Sequence, residues 1–249
     1  MFEVFSELNK FNGIIFDEVD HSYFYNGLRC TSVTTLLSKF KKPFETNIIA
    51  ARYASKNGLI VADVIQEWED IKNASTSRGT EVHKYAELLF SSKHYDVDKS
   101  TGAQNLTWMI DNFYKDYINK LLLVRAELVV GDLDFRICGM LDKLFYNVDD
   151  SELQIWDYKT NKEINTYSKY KNKMTNGLEH LAECEYNTYS LQLGVYKKII
   201  EKNTNLKIGK SYICWINDNN DNYKVIKTKD LDEEVELVLN SPTHNDYIF

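Results

Sequence analysis

The sequence predicts an α/β (α+β) fold in which a mixed central sheet is flanked by helices. Apolar runs of strand length, separated by polar turns, fill residues 121–159 and recur at 211–228. Stretches with an apolar residue every three or four positions surround them, at residues 105–121, 187–201 and 231–239. Residues 32–73 carry only this helical pattern, so we expect an N-terminal helical arch or lid beside the sheet.

The chain has the length of one large domain, or of a core with a helical addition. Its 249 residues contain only 2 prolines and 10 glycines, which argues against a long disordered linker. We therefore expect one compact unit, with a hairpin and helical arch over residues 1–75 and a core over residues 76–249. Acidic residues outnumber basic ones by 37 to 30. This balance argues against a plain DNA-coating protein and confines any DNA path to a local basic strip.

The four cysteines indicate free thiols rather than a metal site. Cys30, Cys138, Cys184 and Cys214 are far apart and include no Cys-x-x-Cys pair, the spacing that zinc sites commonly use. No stretch is apolar enough to span a bilayer, and the N-terminus lacks a basic region before a long apolar run. We therefore expect a soluble protein of a reducing cytoplasm, without a membrane partner.

The N-terminal third predicts a hairpin followed by helices. Residues 13–31 have the pattern of two strands around a polar turn at 17–20. Ser32 can cap the first of three helices, and the second helix is expected to stop near Asn57-Gly58. Because these helices precede every catalytic candidate, we assign them to the arch.

A further helix is predicted to open at Gly79-Thr80 and to carry His83 beside its apolar residues. By itself, this histidine is better explained as a partly buried side chain with its hydrogen bonds satisfied than as a ligand. The next predicted strand contains Glu127, whose carboxylate needs a partner in an apolar run. That partner is either Arg125, in a structural pair, or a metal-bound water at the margin of a site.

Two acidic residues on neighbouring strands are the strongest candidates for chemistry. Strands at 135–146 and 153–159 are joined by a polar turn, so they run antiparallel and can bring Asp142 close to Asp157. Side chains alternate along a strand, so Asp157 and Lys159 point to the same face. Two carboxylates and a lysine at one point suit an oxygen-ligated Mg²⁺ or Mn²⁺ that acts on phosphate.

The segment at 161–186 is polar and mixes basic with aromatic residues. Such a mixture either holds a nucleic-acid strand by charge and stacking or forms a solvated loop, and both interpretations stay open. Its lysines are Lys162, Lys169, Lys171 and Lys173. The helix that follows places Gln192 and Tyr196 on one stripe, which composition alone assigns to the core.

Taken in order, these residues resemble a known nuclease pattern. The pattern consists of Arg78-Gly79-Thr80-x-x-His83, Glu127, Gly139-x-x-Asp142, Asp157-Tyr158-Lys159-Thr160 and Gln192-x-x-x-Tyr196. It resembles the RecB-like branch of the PD-(D/E)xK nuclease superfamily, which includes phage-type exonucleases, and it covers residues 78–196. The resemblance implies a central sheet of the restriction-endonuclease-like type, with a catalytic centre at these positions.

The resemblance also implies a role for each residue. One or two Mg²⁺ or Mn²⁺ ions would be held by His83, Asp142, Asp157 and the main-chain carbonyl of Tyr158. Lys159 would orient or activate the attacking water, and Glu127 would lie just outside the metal ligands. Support for the site and contact with the substrate backbone would come from Gln192 and Tyr196. Contacts to nucleic acid would come from Arg78, Thr80, Lys169, Lys171 and Lys173, with donors from a helix N-terminus at Gly79-Thr80.

The function expected from this resemblance is a divalent-metal-dependent DNA exonuclease, in phage DNA replication, recombination or repair in the host cytoplasm. It would act on single-stranded DNA or on an accessible end, with a recombinase or helicase as a candidate partner. Only Cys184 and Cys214 follow Lys159, so the iron–sulfur cluster of some relatives is not expected. The alternatives are a catalytically unused nuclease fold that serves as a DNA-binding or assembly protein, and a phosphoesterase for small nucleotides.

Overall fold

In the computed structural model, which describes residues 2–241, one sheet of eight strands lies between two groups of helices. The strands are β1 (Ile14–Asp17), β2 (Ser22–Tyr25), β3 (Leu28–Ser32), β4 (Leu121–Asp132), β5 (Ile137–Asn147), β6 (Glu152–Lys159), β7 (Ile208–Trp215) and β8 (Lys224–Lys227). The helices are α1 (Phe2–Leu8), α2 (Val33–Ser38), α3 (Thr46–Asn57), α4 (Val61–Phe90), α5 (Gln104–Tyr117), α6 (Glu185–Asn203) and α7 (Asp232–Leu239). This arrangement confirms the predicted α/β class with a mixed sheet flanked by helices.

The centre of the sheet is β5, which has different neighbours along its two edges. One edge pairs with β4 over nearly its whole length. The other edge pairs with β3 at residues 137–138 and with β6 at residues 143–147. Between these two stretches, residues 139–142 form no ladder pair on that edge within the described sheet. The sheet is therefore split at this point, and the split is where the acidic residue of β5 lies.

The strand directions make the sheet mixed. β5 and β6 are antiparallel and joined by the predicted turn around residues 149–151. β6 and β7 are parallel, and α6 lies between them in the chain, as expected because parallel neighbours need a long crossover connection. β8 then returns antiparallel to β7.

Each face of the sheet packs on its own group of helices. One face buries side chains against α1, α2, α6 and α7, and Leu153 and Ile155 belong to it. The other face packs on α4 and α5 and includes Trp156 and Tyr158. This alternation along β6 is the one the sequence predicted, and it leaves the Asp157 side chain on the face that carries Leu153 and Ile155.

Helix α1 was not predicted, but from residue 13 to the end of α3 the chain follows the predicted elements. β1 and β2 form the expected hairpin, and a second tight turn adds β3 to it. The Ser32 hydroxyl caps α2 by accepting a hydrogen bond from the Thr35 N–H at 3.0 Å. Gly58 ends α3 with a φ of 67°, a left-handed conformation that favours glycine. α3 and the first half of α4 pack together through Ala50, Ala54 and Val64.

The prediction that a helix opens at Gly79-Thr80 was wrong. α4 runs without a break from Val61 to Phe90, so the backbone N–H groups of Gly79 and Thr80 lie inside a helix and not at its start. Interior N–H groups of a helix are bonded to carbonyls one turn earlier, so they offer no phosphate-binding donors. The helix also crosses residue 75, where we placed the boundary between the arch and the core. Residues 242–249 of that core lie outside the described residues.

The four cysteines are buried free thiols, including Cys30 and Cys138, which lie in one small cluster with Tyr23 and Tyr25. Among residues 2–241, no helix combines the length and apolar character that crossing a bilayer requires.

Candidate active site

Asp142 lies where β5 and β6 separate. The last pair of the β5–β6 ladder is Lys143 with Trp156. Beyond it, Asp142 Oδ2 accepts a hydrogen bond from the Tyr158 N–H at 2.7 Å. The Asp142 side chain thus takes the place of a strand partner, and the register sets Asp142 opposite Asp157. This register agrees with the expected approach of the two carboxylates, and besides burial, the Asp142 charge contributes to raising the pKa of Asp157.

The Tyr158 main chain contributes to the same place. Lys159 O accepts a hydrogen bond from the Ile216 N–H at 2.9 Å, so the polar groups of Lys159 point towards β7. In a strand, the main-chain N–H and C=O of one residue point to the same edge, and those of the next residue point to the opposite edge. The Tyr158 carbonyl accordingly faces the same edge as its N–H, towards Asp142.

His83 and Glu127 approach Asp142 from two other elements. His83, on α4, places Nδ1 at 3.2 Å from Asp142 Oδ2. On β4, Ala126 pairs with Lys143 and Leu128 with Leu141, which sets Glu127 opposite Asp142. One potential ligand atom from each of His83, Glu127 and Asp142 lies within 4.8 Å of the other two. Three elements thus bring two carboxylates and an imidazole to one point.

Glu127 has an unusual backbone conformation for a strand residue. Its φ is 47°, in the left-handed region that residues with a Cβ adopt only at a cost in free energy. Such strain persists where surrounding contacts fix it, and it is often found at functional sites. A structural pair with Arg125 is ruled out, because the Arg125 guanidinium lies 4.7 Å from the centre of the Phe5 ring. The ion partner of Glu127 is Lys143, with Nζ 3.8 Å from Oε1.

Asp157 and Lys159 form an ion pair on the same face of β6. Lys159 Nζ lies 2.5 Å from Asp157 Oδ2, although the contact lacks the angles of a hydrogen bond, so Oδ2 has no hydrogen-bond partner among the described residues. Lys159 Nζ also lies 4.8 Å from the centre of the Tyr189 ring. The ammonium is therefore held between a carboxylate and an aromatic face.

The carboxylates respond differently to their crowding. Burial opposes ionisation of Asp142, but His83, Lys159 and Lys143 together hold its pKa below the ordinary range. Burial and the Asp142 charge raise the pKa of Asp157 to about 6 against the pull of Lys159. Burial also raises the pKa of Glu127 to about 7, again with a contribution from Asp142. Asp142 thus has the lowest pKa of the three carboxyl groups.

The site leaves several buried polar atoms without a hydrogen bond, although each is close to an oppositely charged group. Glu127 Oε1, Asp157 Oδ2 and Lys143 Nζ make no hydrogen bond to any residue between 2 and 241. Buried polar groups without a partner are costly, and each one calls for an explanation. A divalent cation would supply a close partner to Glu127 Oε1, whose nearest ammonium is 3.8 Å away. The two carboxylates and the imidazole that come together here, with Asp157 and the Tyr158 carbonyl on the neighbouring strand, are donor types that suit Mn²⁺ and, through their oxygens, Mg²⁺.

Lys143 is a site residue that the sequence reasoning missed. Its side chain is fully buried, with Nζ 5.8 Å from the centre of the Tyr158 ring. Burial lowers its pKa, while Asp142 and Glu127 oppose that change. A signal was present, because Lys143 directly follows Asp142 within an otherwise apolar run. A lysine in such a run needs a charged partner, and the acidic site provides one.

Gln192 and Tyr196 lie beneath the split in the sheet. Gln192 Nε2 donates a hydrogen bond to the Tyr196 hydroxyl at 3.1 Å, and Tyr196 is buried. The Tyr196 ring packs directly on Gly139, where an added Cβ would lie 2.6 Å from Tyr196 Cε1. The pair therefore positions residues 139–142 of β5, and Tyr196 acts on the site through packing.

Two glycine substitutions are predicted to change stability in opposite directions. Gly139→Ala should lower the free energy of unfolding by about 1–3 kcal/mol, because the new methyl group overlaps Tyr196 and Val33. Gly79→Ala should raise it by up to about 1 kcal/mol, because the residue is inside α4 and the methyl group meets only Thr160 Oγ1 at 3.5 Å. Urea unfolding measures both; a Gly79→Ala variant less stable than the parent would contradict the continuous helix.

The predicted nucleic-acid contacts are not gathered at the acidic cluster. Arg78 donates two hydrogen bonds to Asp218, at 2.6 and 2.7 Å, and this ties α4 to the segment between β7 and β8. In the 161–184 segment, Lys169 forms an ion pair with Glu163, and Lys173 donates to the His180 carbonyl at 3.4 Å. Lys169, Lys171 and Lys173 are all exposed, whereas Thr80 lines a cleft that adjoins the site.

The comparisons with known proteins add little to this geometry. No family model matches the chain. No curated protein matches it either. A solved structure described as the crystal structure of SSO0001 is 13% identical and has a TM-score of 0.31, with 96% of this chain and 81% of that chain covered. At that score and identity the likeness carries no argument about fold or function.

Proposed function

We propose that the chain is a divalent-metal-dependent DNA exonuclease. The proposal depends on one observation, namely that Glu127 and Asp142 meet His83 at the split in the sheet, next to the ion pair of Asp157 with Lys159 on the neighbouring strand. Carboxylates with a nearby ammonium are a combination suited to hydrolysing a phosphodiester. The sheet order, with antiparallel β5–β6 and parallel β6–β7, supports assigning the fold to the restriction-endonuclease-like type.

The residues that would hold Mg²⁺ or Mn²⁺ are His83, Glu127, Asp142 and Asp157, with the Tyr158 carbonyl. Glu127 thus moves from the margin of the site, where the resemblance put it, into the ligand set, because its carboxylate faces Asp142. When bound, such an ion lowers the pKa of water and offsets negative charge on phosphoryl oxygens. The carboxylates fix its place, and the strained backbone of Glu127 holds one of them in the required position.

Lys159 would steady the charge of the phosphate. Burial disfavours its ammonium form, but Asp157 and Asp142 outweigh burial and raise the pKa of Lys159 above the ordinary lysine value. The side chain is therefore a cation at neutral pH and cannot serve as a general base. An ammonium fixed beside Asp157 favours a role in orienting water and stabilising the negative charge that develops on the phosphate.

Exonuclease action is supported by the helices that precede the sheet. α3 and the first half of α4 expose several apolar side chains, including Ile48, Tyr53 and Ile71, and they lie in the chain directly before the part of α4 that carries His83. An arch of this kind would guide a strand end into the site. We place the activity in phage DNA replication, recombination or repair, where a recombinase or helicase would present single-stranded DNA or an accessible end.

The test is a digestion series with purified protein. End-labelled linear single- and double-stranded DNA should be degraded in Mn²⁺ or Mg²⁺ and left intact in EDTA, and circular single-stranded DNA should resist. Asp142→Asn, which keeps the shape of the side chain, should lose at least about a hundredfold in rate. Absence of metal-dependent cleavage on every substrate would reject the proposal. Binding of DNA without cleavage would favour the DNA-binding or assembly role instead.

A further inference from the structure

A cleft of about 840 Å³ lies between the hairpin of β1 and β2 and the middle of α4. On the hairpin side it is lined by aromatic rings, and on the helix side by hydroxyl groups. These residues are Phe16, His21, Tyr23, Ser75, Thr76 and Thr80. His83 and Glu127 also line the cleft, so it opens directly into the acidic site. Its volume lies within the roughly 300–1,000 Å³ range of pockets that hold small ligands.

The aromatic side of the cleft is held in place before any ligand binds. The Phe16 ring centre lies 4.7 Å from that of Tyr23 and 5.1 Å from that of His21, which meets Phe16 edge-on. Phe16 and Tyr23 are on the paired strands β1 and β2, and in the turn between them Asp17 Oδ1 accepts hydrogen bonds from the N–H groups of Val19 and Asp20. A rigid aromatic surface binds a flat ring with little loss of side-chain entropy.

The charges of the cleft do not favour a phosphate as its occupant. Glu18, Glu87 and Glu127 line it, and Lys84 is paired with Glu87 at 2.9 Å. A phosphate would therefore meet more negative than positive charge. A neutral, flat group with polar edges fits better, because it can stack on the rings and hydrogen-bond to the hydroxyl groups of α4.

We infer that this cleft receives an unpaired nucleobase from the DNA strand whose phosphate lies at the acidic site. The inference rests on the proposed nuclease function and names its substrate more narrowly. A base in a duplex is stacked and paired, so placing it here would require unpairing at a cost of a few kcal/mol. The structure thus assigns the site a substrate that is single-stranded next to the scissile phosphate.

The test combines a substitution in the protein with a deletion in the DNA. Single-stranded oligonucleotides, each with one abasic residue at a different position, are compared with the intact strand for cleavage in Mn²⁺ and for binding in Ca²⁺ by fluorescence anisotropy. For the parent protein, one abasic position should weaken binding about tenfold or more. Phe16→Ala should lower the affinity for the intact strand by a similar factor. Combining Phe16→Ala with the abasic strand should lower the affinity no further, because each change removes the same contact.

Two further variants serve as controls. Ile15→Ala changes the neighbouring, exposed residue of β1, which does not line the cleft, and it should behave like the parent protein. His21→Ala, at an exposed position, should reproduce part of the Phe16→Ala effect even if the latter variant folds poorly.

The outcomes separate the two proposals. The cleft assignment would be wrong if Phe16→Ala weakened binding equally on intact and abasic strands, or if no abasic position changed binding by the parent protein. Either result would leave the proposed nuclease activity unaffected. If binding followed the expected pattern but no metal supported cleavage, the assignment of the cleft to a nucleobase would hold and the proposed nuclease activity would be rejected. A parent protein that neither binds nor cleaves DNA would reject both.

Discussion

Replacement of Lys159 by methionine is expected to slow DNA cleavage by about two to four orders of magnitude and to leave metal affinity within a few-fold of the parent value. The substitution keeps an unbranched side chain that is one atom shorter and removes the ammonium, which lies 2.5 Å from Asp157 Oδ2. Without that charge, the negative charge on the phosphate loses its stabilisation by the ammonium next to Asp157. The carboxylates that would bind the metal are all retained, so the ion should still be held.

Single-turnover cleavage at saturating Mn²⁺ measures the first effect, and isothermal titration with Mn²⁺ measures the second. The control is Lys198→Met, which removes a lysine of α6 that forms an ion pair with Glu236 of α7. That variant should match the parent in both assays. A Lys159→Met protein with nearly normal cleavage, or one that no longer binds Mn²⁺, would contradict the assigned role.

Much of the site was predictable because it depends on local pattern. A polar turn between two apolar runs predicts antiparallel strands, and the turn sets a register that places Asp142 opposite Asp157, one position beyond the last ladder pair. Alternation along β6 likewise predicts that Asp157 and Lys159 share a face. These inferences need only the spacing of residues in one hairpin, and the ion pair of Asp157 with Lys159 agrees with them.

The rest depends on contacts between distant parts of the chain, which spacing cannot provide. Glu127 reaches Asp142 through the pairing of β4 with β5 and through a left-handed backbone at a residue other than glycine. Arg125, its near neighbour, lies instead on Phe5 from the first helix. A helix start was predicted at Gly79-Thr80, and glycine is a weak helix former in the interior of a helix. In the structure, packing of α4 against α5 and the sheet overrides that local preference.

Glu127→Gln is expected to weaken Mn²⁺ binding by about tenfold or more and, in the absence of metal, to stabilise the fold. The amide keeps the shape of the side chain but cannot give a cation the charge of a carboxylate. In the metal-free protein, the Glu127 carboxylate lies opposite Asp142, and burial already disfavours its charge. Removing that charge relieves both the repulsion from Asp142 and the cost of burying a carboxylate. Loss of function with a gain in stability is the signature of a residue retained for binding.

The gain in stability should depend on pH in a defined direction. Folding raises the pKa of Glu127 from 4.5 to about 7. Below pH 4.5 the carboxyl group is protonated in both states, so the parent and Glu127→Gln should differ little. As pH rises towards 7 the unfolded chain releases this proton and the folded chain keeps it. The stability of the parent then falls by about 1.4 kcal/mol for each pH unit between the two pKa values. Above that range the difference is constant.

Urea unfolding in EDTA at pH 5 and pH 8 measures this difference, since Glu127→Gln lacks the titrating group. The advantage of the variant should be small at pH 5 and several times larger at pH 8. Addition of Mn²⁺ at pH 8 should reverse the order, because binding stabilises the parent in proportion to its higher affinity. A variant less stable than the parent in EDTA at pH 8 would show that Glu127 is a structural residue of β4 and that its strained backbone serves the fold.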